Sequence, residues 1–213
     1  MAKMAMLLTA HMYDSSYFSF VILDRNFTIL QYLMHVLNPR ITNRQRQIVI
    51  GTILGGSSIV ETGKNCYLSM RDKREQWIKF KASELSCLAS DNPFTSDTTN
   101  RWHSRAYPVF LEFRDMFYQG GKRHIVTETL ELLTDVSFAI WFGDCGKYVG
   151  DCIVLNTHVW GKAGSEAIVK YFRRFGWKAS LKMERNWHRV KLDASSSRKF
   201  MKIAGPHLPH TFF

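Results

Sequence analysis

Apolar positions along this chain follow two rhythms. In Cys66–Arg71, Cys66, Leu68 and Met70 alternate with Tyr67, Ser69 and Arg71, and Arg101–Tyr107 sets Arg101, His103 and Arg105 opposite Trp102, Ser104 and Ala106. A period of two predicts half-buried strands. The longer period appears at Ile78, Lys81, Leu85 and Leu88, and again at Phe110, Phe113 and Phe117, where Pro108 suits a first helical turn and Gly120-Gly121 closes the segment. Ile29, Leu33 and Val36 share a third helical face within Tyr17–Val36, stopped by Asn38-Pro39. The stretch Ala89–Asn100, rich in Ser, Asp, Asn, Pro and Thr, reads as a loop. Further on, strands are expected at Ile153–His158, Lys178–Glu184 and His188–Asp193. Between them lies a helix with Ile168, Phe172 and Phe175 that ends at Gly176, and after Ser195–Ser197 a last helix carries Phe200 and Ile203.

Two segments follow neither rhythm because nearly all of their residues are apolar or small. Val136–Gly146, VSFAIWFGDCG, follows a helix-start signal at Thr134-Asp135, and Ile48–Ser57 reads IVIGTILGGS. Helices with so little charge must be buried. Gly51 and Gly55, and likewise Ala139 and Gly143, are four apart and share a face on which little bulk separates one backbone from another. These four residues are the expected helix–helix interface. After each such helix the same order of elements recurs, and Trp102 and Trp187 lie 85 residues apart against 89 for the two helices. This pattern predicts an internal duplication. Its divisions are an extension at 1–43, a first repeat and linker at 44–133, and a second repeat at 134–213.

With 213 residues, 46% of them hydrophobic, the chain can bury a substantial core, which excludes a disordered polymer. Its net charge of +11 is uneven: residues 136–213 hold 13 basic against 5 acidic side chains. A basic, aromatic-rich chain of this kind suits nucleic acid, with a solvated lysine surface as the plain alternative. The expected contacts are Arg71, Arg101, His103, Arg105, Lys122, Arg123, Lys147, Lys182, Arg189 and Lys191. Tyr67, Tyr148 and Trp187 are candidates for stacking on bases, with core packing as the competing role. Cys66, Cys87, Cys145 and Cys152 lack metal-ligand spacing and read as free thiols in a reducing compartment. No apolar run reaches membrane-spanning length. The beginning, with one Lys and no Arg before Arg25, makes a poor targeting peptide.

The paired apolar helices resemble the signature helices of LAGLIDADG homing endonucleases, in the single-chain, two-repeat branch that often reads ILGDGS and WFMDDGG. Residues 110–126, FLEFRDMFYQGGKRHIV, resemble that branch's linker, and IVLNTH at 153–158 and KIAGPHLP at 202–209 resemble its second half. The resemblance spans roughly residues 44 to 213. It implies an α+β fold of two pseudo-symmetric αββαββα repeats in a monomer with an internal pseudo-twofold, whose curved antiparallel sheets form a saddle over nucleic acid. It also implies a carboxylate at the base of each signature helix, where two acids would hold magnesium between the scissile phosphates. Here Gly56 and Cys145 stand at those positions, and Asp144 matches the preceding, non-catalytic one. The further basic active-site group corresponds to Lys122, while the usual Tyr-Lys-Leu is missing from PHLPHTFF. The chain is therefore expected to bind without cutting and to need no cofactor, magnesium entering only if it is a nuclease. The expected role is an RNA-binding part of an organellar ribonucleoprotein with protein neighbours, a mitochondrial ribosome or an intron as maturase. RNA is favoured over DNA, with no membrane. The alternatives are a DNA-cutting homing endonuclease and a protein-interaction scaffold using residues 1–43.

Overall fold

Thr42 starts the first helix, α1 (Asn43–Leu54): its hydroxyl accepts from the Gln45 N–H at 3.2 Å, while the Gln45 side chain accepts from the Thr42 N–H at 2.9 Å. This reciprocal cap satisfies two otherwise open donors and fixes where the helix begins. The computed structural model describes residues 38–96 and 99–212. Ile41–Phe213 form one compact unit. The helix expected within Tyr17–Val36 lies outside the described residues.

After α1 the chain forms β1 (Ser58–Thr62), β2 (Asn65–Asp72), α2 (Glu75–Glu84), β3 (Ala89–Ser96), β4 (Asn100–Ser104) and α3 (Val109–Phe117). A short hairpin, β5 (Tyr118–Gln119) with β6 (Lys122–Arg123), and α4 (Thr127–Leu130) lead to the second half. There α5 (Asp135–Cys145), β7 (Gly146–Val149), β8 (Cys152–Asn156), α6 (Gly161–Arg174), β9 (Ala179–Glu184), β10 (Trp187–Leu192) and α7 (Ala194–Ala204) repeat the order. The sheets are connected alike, β1-β2-β4-β3 and β7-β8-β10-β9, with every neighbouring pair antiparallel. The mixed α+β architecture in two repeats is thus present.

Both sheets turn one face inward. Cys66, Leu68, Met70 and Trp102 from the first, and Ile153, Leu155, Val190 and Leu192 from the second, join a single apolar core with α1 and α5. The second half is packed largely by rings. Trp141 stacks on Phe172 at 6.0 Å, and Phe172 on Trp177 at 5.5 Å.

α1 and α5 pack together at the centre. A Cβ at Gly51 would stand 2.6 Å from the Ser137 carbonyl oxygen and 2.7 Å from the Ile140 Cβ, and one at Gly55 would overlap Asp144. The face of α5 that meets these glycines is therefore Ser137, Ile140 and Asp144. Ala139 is buried, but Gly143 differs from the expected role: a Cβ there would overlap the Trp77 ring of α2. Consecutive helical residues point about 100° apart, so Gly143 and Asp144 address different neighbours.

Two other expectations change. Ala89–Ser96 is a strand, paired to β4 through Phe94↔Trp102 and Thr95↔Arg101 after a register shift that begins at Ala89. Pro93 falls within that shift on an edge strand, where a missing N–H removes no ladder bond. Trp102 and Trp187 are not counterparts, for Trp102 is 1% exposed and Trp187 is 49% exposed. Trp102 pairs with Met70, as Val190 pairs with Leu155, and these are the matching core positions.

Candidate nucleic-acid interface

In an antiparallel pair, residues directly opposite share a face. On the outward face of the first sheet Arg71 lies opposite Arg101, which lies opposite Thr95, and Ser69 lies opposite both His103 and Ser58. Tyr67 stands on the same face, edge-on to His103 at 5.9 Å. The second sheet's outward face carries the row Lys147, Val154, Lys191 and Ser180 and the row Asn156, Arg189 and Lys182. Each sheet therefore presents cations opposite its apolar face.

Not every expected contact is available in the same way. Arg71, Arg101, Lys122, Lys147 and Lys182 are exposed, and none has a carboxylate partner among the described residues. Arg105 is exposed but paired with Asp91, and Arg189 is held by Glu184. Tyr148 pairs with Ile153 and leans edge-on against Phe142 at 6.0 Å, so it stands on the core side of its sheet rather than among the cations.

Arg123, expected among these contacts, is engaged within the protein. Its guanidinium donates to the carbonyl oxygens of Gly56 at 2.9 Å, Ser57 at 2.7 Å and Ile53 at 3.4 Å, and to the Ser58 hydroxyl at 3.0 Å. It thus caps the end of α1 from the linker hairpin, and burial lowers its pKa from the ordinary arginine value. Side chains alternate along a strand, which is why Arg123 turns inward and its neighbour Lys122 outward. Trp160 completes the cap, donating its Nε1–H to the Leu54 carbonyl at 3.2 Å. Gly56, with φ +113°, therefore occupies a left-handed turn above an arginine fork.

At the base of α5 only one carboxylate oxygen, Asp144 Oδ1, is engaged, and Oδ2 is buried without a hydrogen-bond partner among the described residues. Asp144 accepts from the Lys81 ammonium at 2.6 Å and from the Trp77 Nε1–H at 2.5 Å, and the side chains of Asp144 and Lys81 are 7% and 2% exposed. Burial pushes the Asp144 carboxyl above the usual range, against the pull of Lys81 and Trp77. Burial likewise pushes the Cys145 thiol up to about 12, with Asp144's charge adding to the effect.

Magnesium takes oxygen ligands at close to octahedral geometry. Gly56 offers no side chain, Cys145 a protonated thiol, and Asp144 one buried carboxylate whose Oδ1 is held by Lys81 and Trp77, leaving only Oδ2 without a partner among the described residues. These donors do not fit the ion. Among the described residues, no three His, Cys, Asp or Glu side chains gather where a metal could be held. Beside α5 a hollow of about 300 Å³ is lined by Asp144 and Cys145 together with Arg74, Lys147, Asn156 and Arg189, whereas a larger one of about 490 Å³ lies away from both helix bases, along Lys170, Arg173 and Arg174 of α6. The smaller hollow is the one that belongs to this interface, because it opens among the cations of the second sheet.

A model of the LAGLIDADG DNA endonuclease family matches residues 46–200. No curated protein sequence matches the chain. Among solved structures, the homing endonuclease I-WcaI bound to its DNA recognition sequence is 19% identical, with a TM-score of 0.75 over 89% of this chain and 92% of that one. I-DmoI in complex with DNA and Mn is 14% identical, with a TM-score of 0.53 over 78% and 99%. At these identities the likeness concerns the fold.

Proposed function

The chain belongs to the LAGLIDADG DNA endonuclease family, and on that premise we propose that it binds nucleic acid across its two sheet faces without cutting it. The observation that carries this reading is the pair of helix bases. One is capped by Arg123 and has Gly56 where an acid would stand, while the other buries Asp144 against Lys81 and leaves Cys145 as the nearest donor. Phosphodiester cleavage through two metal ions needs carboxylates open to both. What remains is a basic surface suited to phosphates.

The class of nucleic acid is a finer part of the proposal. The loss of acids supports an RNA role, as a ribosomal component or an intron maturase in an organelle. The solved relatives bound to DNA support duplex DNA as strongly. Crosslinking the protein in its cells and sequencing what is attached, beside a magnesium cleavage assay on the recovered target, separates these. Recovered RNA or DNA that stays uncut supports binding without chemistry and identifies the ligand. Strand cleavage on adding magnesium overturns the reading.

A further inference from the structure

At the hairpin between β9 and β10, one large ring faces outward among the cations. Trp187 is 49% exposed, whereas Trp77, Trp102, Trp141 and Trp160 are each no more than 5% exposed. The His158 ring lies parallel to it, 4.6 Å away at 18°, and His158 is itself steadied by a 3.1 Å hydrogen bond between its Nδ1 and the Asn156 Oδ1. One face of the indole is thus covered by a fixed neighbour. Trp187 keeps 49% of its surface exposed, so the indole has open area beyond the His158 contact.

Two features surrounding this ring suit a nucleotide. Asn156 and Lys182 lie directly opposite Arg189, two positions along β10 from Trp187 and so on its face of the strand. Glu184, opposite Trp187, is engaged by Arg189. The adjoining turn contains Arg185 at φ 52°, a left-handed conformation that a glycine or asparagine would adopt more readily. Arg185 thus puts an exposed cation at this turn. Neutral imidazole is the form that stacks well here, and burial together with Arg123 and Arg189 lowers the His158 pKa.

We propose that the Trp187–His158 pair is a stacking site for one unpaired base, extending the protein's preference from plain duplex to nucleic acid with a bulged or flipped-out nucleotide. The site rests on the nucleic-acid reading above. A base inserted on the open indole face would continue the His158–Trp187 stack, and the adjacent Lys182 would meet its phosphate. On the first sheet the outward rings are Tyr67 and His103, set edge-on rather than stacked, so the parallel pair is a feature of the second repeat.

The test is a binding titration of the full chain, by fluorescence anisotropy, against labelled 20-base-pair RNA and DNA duplexes, each with and without a single central unpaired adenine. Expected is about tenfold tighter binding to at least one bulged duplex than to its perfect counterpart. Trp187→Ala should collapse that ratio to near one, and Trp187→Phe should keep most of it; circular dichroism checks that both variants fold. A wild-type ratio near one, or a ratio untouched by Trp187→Ala, overturns the stacking site while leaving duplex binding as a separate result. Failure to bind any of the four probes overturns the nucleic-acid reading itself. The RNA and DNA arms show which backbone the site accepts.

Discussion

Asp144 lies next to the position where the chemistry would be expected and is drawn into the interior instead. Lys81, on the apolar stripe of α2, and Trp77 reach it from 63 and 67 residues away in sequence. The stripe Ile78, Lys81, Leu85 contains the visible signal, a lysine on a buried face, but nothing local says which acid it meets. A buried charge left without its partner is costly. Asp144→Asn or Lys81→Met alone should lower stability by about 3–5 kcal/mol, and the double variant by clearly less than the sum, measured as urea midpoints in a double-mutant cycle. Equal and additive losses would show that the two groups are not paired. Arg123 follows the same logic: the sequence marks it as one cation in GGKRHIV, and only the hairpin's alternation shows that it is the inward one.

At the scale of elements, legibility followed periodicity. The strands at Asn65–Asp72 and Trp187–Leu192 and the helices at Val109–Phe117 and Gly161–Arg174 lie close to where the apolar rhythm put them. β3 was hidden because its polar, proline-containing sequence has no rhythm of its own; pairing with β4, with Phe94 opposite Trp102, makes it a strand. The α1–α5 contact was half legible. Gly51 and Gly55 marked the face on α1, yet the partner face on α5 is formed by Ser137, Ile140 and Asp144, so a pair of small residues on one helix does not require another pair opposite. Gly51→Ala should show how tight this contact is. The added carbon would meet a backbone carbonyl that cannot swing aside, and a loss of about 1–3 kcal/mol is expected, read as a lowered thermal midpoint. An unchanged midpoint would mean that the helices sit further apart.

The described residues form a duplicated frame with an unduplicated charge distribution. Both halves share sheet order and helix order, while the second carries most of the net charge. If phosphates are held mainly by the second sheet, Lys147→Ala, Lys182→Ala and Lys191→Ala should each weaken binding and reduce the slope of log K against log salt by about one. Slopes from titrations at several salt concentrations check this, and unchanged slopes would move the interface elsewhere. The closure of α1 has a separate consequence for how the chain is made. Its final carbonyls are taken by Arg123 of the linker and Trp160 of the second half. Arg123 follows α3 by only a few residues, whereas Trp160 and α5 are made later. During that interval the central helix has only part of its cap and lacks the helix that covers its glycines. The first half must therefore wait, exposed to chaperones and proteases, until the second emerges and the two become one cooperative unit.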